Sequence, residues 1–195
     1  MIRDLTTMLI AMAIALGLGA YTAERTTRDF AGFGALTLGL WTAYPDAGTR
    51  QADPYAMAGA ARRTELSLGD SEGLAFTAGI DLGGRALSGR CAYRIEGGVP
   101  SARLWTLRMT DAAGRDIVAP PGLTARTHSR AIVRPQEQGE FVITVSDTAQ
   151  TGNWLHLDHG GPIRFVLTLY DTTVAGAMAL TELSMPTIRR MECRS

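Results

Sequence analysis

From Leu5 to Ala23 the chain has 19 residues without a charged side chain; beyond them, apolar positions fall into short alternating runs. The first pattern predicts one apolar helix and the second predicts strands. At ~1.5 Å per residue the apolar stretch is roughly 28 Å long, barely enough to cross a bilayer core. Its centre, Met8 to Leu18, also suits the hydrophobic part of a secretory signal. Small residues are poorly placed for cleavage, because a cut after Ala23 or Ala20 puts Tyr21 or Leu18 at the −3 position. An uncleaved anchor is the expectation, with a cleaved signal as the alternative. Arg3 on one flank and Arg25 and Arg28 on the other leave orientation undecided by charge. A second apolar run, Phe30 to Trp41, is too short to span and contains three glycines, so it is expected to enter the domain as an extended or interfacial segment.

One short helix stands before the strands. Asp53 can cap it, Pro54 fits its first position, and Tyr55 to Leu66 continue it toward Gly69. Its small residues, Ala56, Gly59, Ala60 and Ala61, suggest close approach to a sheet. From Leu74 the period becomes two. Leu74–Ile80, Arg90–Ile95, Arg103–Thr110, the run with Phe141, Ile143 and Val145, and the run with Ile163, Phe165, Leu167 and Leu169 read as half-buried antiparallel strands. Weaker strand signals lie at Ile117-Val118, Arg130 to Arg134, Trp154 to Leu157 and Ile188 to Cys193. Asp81-Leu-Gly-Gly84 and Asp111-Ala-Ala-Gly114 are turn signals. No crossover helices separate the strands, which argues against a parallel α/β sheet. The fold class is therefore all-β with one short helix, an antiparallel β-sandwich preceded by a transmembrane or signal helix. The expected division is residues 1–28 as anchor or signal, 29–52 as a linker entering the domain, and 53–195 as the sandwich.

Composition narrows the function classes. Nineteen arginines balance 19 acidic residues, with no lysine. The arginines are scattered and form no basic stripe, so nucleic acid is not an expected partner. Cys91 and Cys193 are the only cysteines. In an oxidising compartment they read as a disulfide closing a loop of about 100 residues; in cytosol they would be two unrelated thiols.

Several short stretches occur in a consistent order: Asp53-Pro54-Tyr55 with Ala58 and Ala61, Glu72-Gly-Leu-Ala-Phe-Thr-Ala78, Asp81-Leu-Gly-Gly-Arg-Ala-Leu-Ser-Gly89 and Tyr93-Arg-Ile-Glu-Gly97. Pro100-Ser-Ala-Arg-Leu-Trp-Thr-Leu107, Gly152-Asn-Trp-Leu155 and Phe165-Val-Leu-Thr-Leu-Tyr170 complete the set. From about Trp41 to the end the chain resembles the bacterial family catalogued as domain of unknown function 1214. The resemblance implies a jelly-roll-like sandwich, found either after a second domain in longer proteins or alone behind an N-terminal hydrophobic segment, as here. It implies no catalytic residues. This chain has Leu104-Trp105 where many relatives have Trp-Trp, and Thr168 where they have Arg.

Chemistry is sparse. His156-Leu-Asp-His159 offers two histidines and one carboxylate, with His128 elsewhere, short of the ligand set a zinc site needs. No cofactor or metal is expected, and no nucleophile elbow, phosphate loop or metalloprotease motif occurs. Asn153, the only asparagine, fits a left-handed or turn position before a strand. Trp105 and Trp154 read either as core residues or as walls of a ligand cleft, with Arg103, Asn153 and Tyr170 adding polar contacts. The expectation is an envelope module on the inner membrane with its body in the periplasm, binding a small molecule or envelope protein or serving structurally. The alternatives are a protein secreted to the periplasm, and a periplasmic hydrolase or carbohydrate-active enzyme whose site forms only in the fold.

Overall fold

The computed structural model describes residues 2–29, 33–63, 68, 72–133, 140–172, 174 and 184–194. Helix α1 covers Ile2–Asp29, and within it Arg3–Arg25 is long and apolar enough to cross a membrane. Its side chains from Arg3 to Arg25 are all exposed, including Leu5, Ile10 and Leu16. An apolar surface of that size calls for a lipid or protein covering. Helix α2 is Pro54–Arg63, with Pro54 at its start and Asp53 Oδ1 accepting from the Tyr55 amide at 2.8 Å. The expected extension through Leu66 to Gly69 lies outside the described residues. α2 lies beside α1, with Tyr55, Met57 and Ala58 exposed; the side-chain positions of Ala56 and Gly59, on which the expected approach to a sheet rested in part, lie outside the described residues.

The strands are β1 (Leu36–Leu38), β2 (Trp41–Ala43), β3 (Gly73–Ala78), β4 (Cys91–Gly97), β5 (Ala102–Asp111), β6 (Arg126–His128), β7 (Phe141–Ser146), β8 (Asn153–His156), β9 (Ile163–Thr172) and β10 (Thr187–Cys193). They form one sheet in the order β1-β2-β3-β9-β5-β6 and a second in the order β10-β4-β7-β8. Between β3 and β10 the chain passes repeatedly from one sheet to the other, which gives the sandwich its jelly-roll character. Within 33–52, β1 and β2 form a hairpin that pairs with β3. Trp41 explains why. Its side chain is fully buried, and its Nε1 donates to Pro186 O at 2.7 Å.

The core is the inner face of both sheets. Alternation places Trp105, Leu107 and Met109 of β5, Ile143 and Val145 of β7, and Phe165, Leu167 and Leu169 of β9 inside. Trp105 stacks on Phe141 at 4.9 Å between ring centres, and Tyr93 meets Phe165 edge to face at 5.8 Å, so aromatic pairs join the sheets at two places. Central β9 buries Val166 and Thr168 as well.

The antiparallel rule has one exception. β7 and β8 run parallel, Ile143 opposite Asn153 and Ser146 opposite His156. Parallel neighbours ordinarily need a long crossover. Here β8 is so short that residues 147–152 can return along the sheet edge within the ~3.3–3.6 Å each residue spans. Two weak strand signals are corrected. Ile117 extends the β5 turn through its amide on Met109 O without forming a strand, and Arg130 and Ala131 lie in a turn; Arg134 is outside the described residues.

Asp81–Arg85 and Asp111–Arg115 form the same turn twice. In each, the aspartate Oδ1 accepts amides two and four residues on, and a glycine with φ near +74° or +81° occupies the fourth position. Their surroundings differ. Asp111 pairs with exposed Arg115, whereas the Asp81 side chain is 1% exposed and lies 2.7 Å from Arg190 Nε. Arg190 also stands over the Tyr93 ring and donates to Ala86 O. Beyond it, Cys193 lies opposite Cys91 across β10 and β4, and the two are joined in a disulfide.

A candidate ligand cleft at the open edge of the sandwich

β6 and β8 are the edge strands of their respective sheets. Between them opens a cleft of about 730 Å³, lined by residues of β5 to β8 and of the segments on either side of β6. The stretch 124–133, with β6 inside it, is tied to β8 at both ends. Thr124 O accepts the His156 amide at 2.8 Å. At the other end Asn153 clamps Val133: Oδ1 accepts its amide at 2.8 Å, and Nδ2 donates to Val133 O at 2.8 Å and Val142 O at 2.9 Å.

Asn153 therefore does a different job from the one its neighbours suggested. The left-handed residue is Gly152, with φ +82°, and Asn153 uses its side-chain amide to tie Val133 to Val142 beside the cleft. Trp154 lines the cleft, half-buried, with Nε1 held by Ser146 Oγ at 3.0 Å. The apolar lining includes Leu107, Ile143 and Leu155. Arg108, Arg126 and His128 supply cationic or titratable groups, and among the described residues no acidic side chain lines the cleft.

The other three residues singled out in the sequence do not join Asn153 and Trp154. Trp105 is a core residue, 2% exposed, and its Nε1 has no partner among the described residues. Arg103 is exposed at the start of β5, 3.8 Å from Asp171 Oδ2. Tyr170 lies near the same end of the sheet, where its backbone registers with Leu104 and Gly73. The cleft's own cations were missed. Their signal is the alternation Arg126-Thr-His128 after a Pro-Pro-Gly turn, too short to read as a strand.

The histidines are dispersed. His128 lines the large cleft, while His156 and Asp158 line a second of about 280 Å³ against Ile117 to Pro120. Arg194 donates to Asp158 at 2.9 Å, and that bond and charge hold the carboxyl below its ordinary range. His156 Nδ1 is buried without a partner among the described residues. Among them no group of three metal-ligating side chains occurs, and no Ser or Cys lines either cleft.

Residues 72–174, just over half of the chain, match the family described as Protein of unknown function (DUF1214). The chain belongs to that family. No curated protein matches this DUF1214 chain. Among solved structures it is similar to the VPA0106 protein from Vibrio parahaemolyticus, with a TM-score of 0.58 and 14% identity over 92% of this chain and 44% of that one. A second, an uncharacterized protein from Burkholderia cenocepacia, matches at a TM-score of 0.43 and 16% identity over 68% of this chain and 33% of that one. The DUF1214 chain thus spans less than half the length of either, and the first likeness is one of fold.

Proposed function

We propose that this DUF1214 protein is a membrane-tethered binding module of the bacterial envelope, its body in the periplasm and a small ligand in the cleft between β6 and β8. The cleft carries the reading. Its volume falls within the roughly 300–1,000 Å³ of small-molecule sites, and it joins an apolar floor to a few polar groups. The exposed apolar helix supplies the tether, and the Cys91–Cys193 bond fits an oxidising compartment. Trp154 serves as a wall and Asn153 as the brace that positions it. Arg103, Trp105 and Tyr170 stand outside this site.

The test is a ligand-observed NMR screen of small fragments against the full-length protein in detergent micelles, repeated on Ile132→Trp, which fills the cleft. Fragments are expected to bind the wild type and to lose affinity at least tenfold in the variant, whose fold is checked by its retained disulfide and circular dichroism. Equal binding to both would exclude the cleft as the site.

A further inference from the structure

The charge arrangement around the cleft has a direction that its volume does not. Arg108 of β5 and Arg126 of β6 are register partners, and Thr106 and His128, two positions along, are the next pair on the same face. Like charges directly opposite on neighbouring strands repel and cost stability. Arg108 is compensated by Asp116, but Arg126 has no ion-pair partner among the described residues. Over the whole chain charges balance, yet among the described residues no carboxylate lines this cleft to answer Arg126.

From this we infer that the cleft takes an anionic ligand, one carboxylate or phosphate group carried on a compact apolar body. The inference rests on the binding reading and adds the class of ligand. A guanidinium presents a planar fork of donors that matches either group with two parallel hydrogen bonds. Trp154 and the floor formed by Leu107, Ile143 and Leu155 receive the apolar part. An anion held there relieves the repulsion between the two arginines, so binding and strand pairing stabilise each other. Charged side chains on an edge strand also keep it from pairing with another chain, and that role is indifferent to what fills the cleft.

Four probes separate the parts. Benzoate, phenyl phosphate, benzamide and inorganic phosphate are titrated into the full-length protein in neutral detergent, and affinities are read by calorimetry or NMR. At least one of the first two should bind tenfold or more tighter than benzamide and than inorganic phosphate. Arg126→Gln should weaken that anion at least tenfold and leave benzamide unchanged, while Arg103→Gln, outside the cleft, should change neither. Benzamide binding as tightly as the anions would overturn the anionic class while leaving the cleft a binding site. Inorganic phosphate binding as tightly as phenyl phosphate would overturn the apolar body. Equal loss in the Arg103 variant would reduce the effect to bulk charge. Should all four probes fail while the fragment screen succeeds, the class is wrong; should both fail, the binding reading itself falls.

Discussion

Replacing Asp81 with Asn removes a charge and keeps the shape of the side chain. The Asp81 side chain is 1% exposed and that of Arg190 is 13% exposed, with 2.7 Å between Oδ2 and Nε. Asparagine can still accept the amides of Gly83 and Arg85, now at 2.9 and 3.0 Å, so the turn itself should survive. What is lost is the counter-charge of a nearly buried guanidinium, which typically costs ~3–5 kcal/mol. Arg190 keeps a bond to Ala86 O and a place over the Tyr93 ring, which argues for the lower end, ~3 kcal/mol. For a domain of this size that corresponds to a drop in Tm of roughly 6–12 °C. The assay is urea and thermal unfolding of the full-length protein in micelles, followed by tryptophan fluorescence, since Trp41 and Trp105 are core residues. Asp81→Asn, Arg190→Gln and the double variant complete a cycle. The double variant should recover part of the loss, because neither charge is then stranded. A loss below ~0.5 kcal/mol in Asp81→Asn, or strict additivity in the double variant, would refute the account. Acid gives an independent view. Burial pushes the Asp81 carboxyl up, but the Arg85 amide, the charges of Arg190 and Arg85 and the Gly83 amide outweigh it, leaving it below its ordinary range. The folded chain thus binds this proton more weakly than the unfolded one. The stabilisation should be complete above about pH 4 and decline as pH falls through the lower folded value, and Asp81→Asn should remove that part of the decline.

Other outcomes follow from other contacts. Cys91 and Cys193 should resist thiol-trapping reagents until reductant is added, and their replacement by Ser should cost up to ~4.7 kcal/mol by the chain-entropy estimate for a loop of this length. Asn153→Ala removes three hydrogen bonds of the cleft brace and should cost ~2 kcal/mol, with faster hydrogen exchange at the Val133 amide as the local sign; unchanged exchange there would contradict the clamp. On fractionation the full-length protein should stay in the membrane pellet through a high-salt wash, whereas a shorter soluble product would show that the apolar helix is a cleaved signal.

The sequence was readable where a residue's surroundings repeat with the strand period. β5 and β7 bury every second side chain, so Trp105-x-Leu107-x-Met109 and Phe141-x-Ile143-x-Val145 announce both strand and inner face. The two Asp-x-x-Gly-Arg turns were equally plain as turns, since their hydrogen bonds are local. Nothing local says that Arg190 covers one of them, because that contact spans 109 positions along the chain (190 − 81). The β1–β2 hairpin was obscured by its three-residue strands and by Gly39 between them, and its place is fixed by long-range contacts, the pairing of β2 with β3 and the bond of Trp41 to Pro186. The cleft was hidden for a similar reason. β6 is three residues long, and the meeting of β6 with β8 depends on which strands end up at the edges of two different sheets. The pair Asn153-Trp154 was noticed, but for a backbone geometry that belongs to Gly152.

The Cys91–Cys193 bond also imposes an order on assembly. During synthesis Cys91 emerges 102 residues ahead of its partner and waits for it before the bond can form. β4, β7 and β8 can pair without β10, which is added at the rim beside β4 and then fastened covalently. A chain stalled before β10 would present an uncovered β4 rim and an unpaired thiol together. Fastening β10 in this way makes its arrival the event that seals this rim of the sandwich.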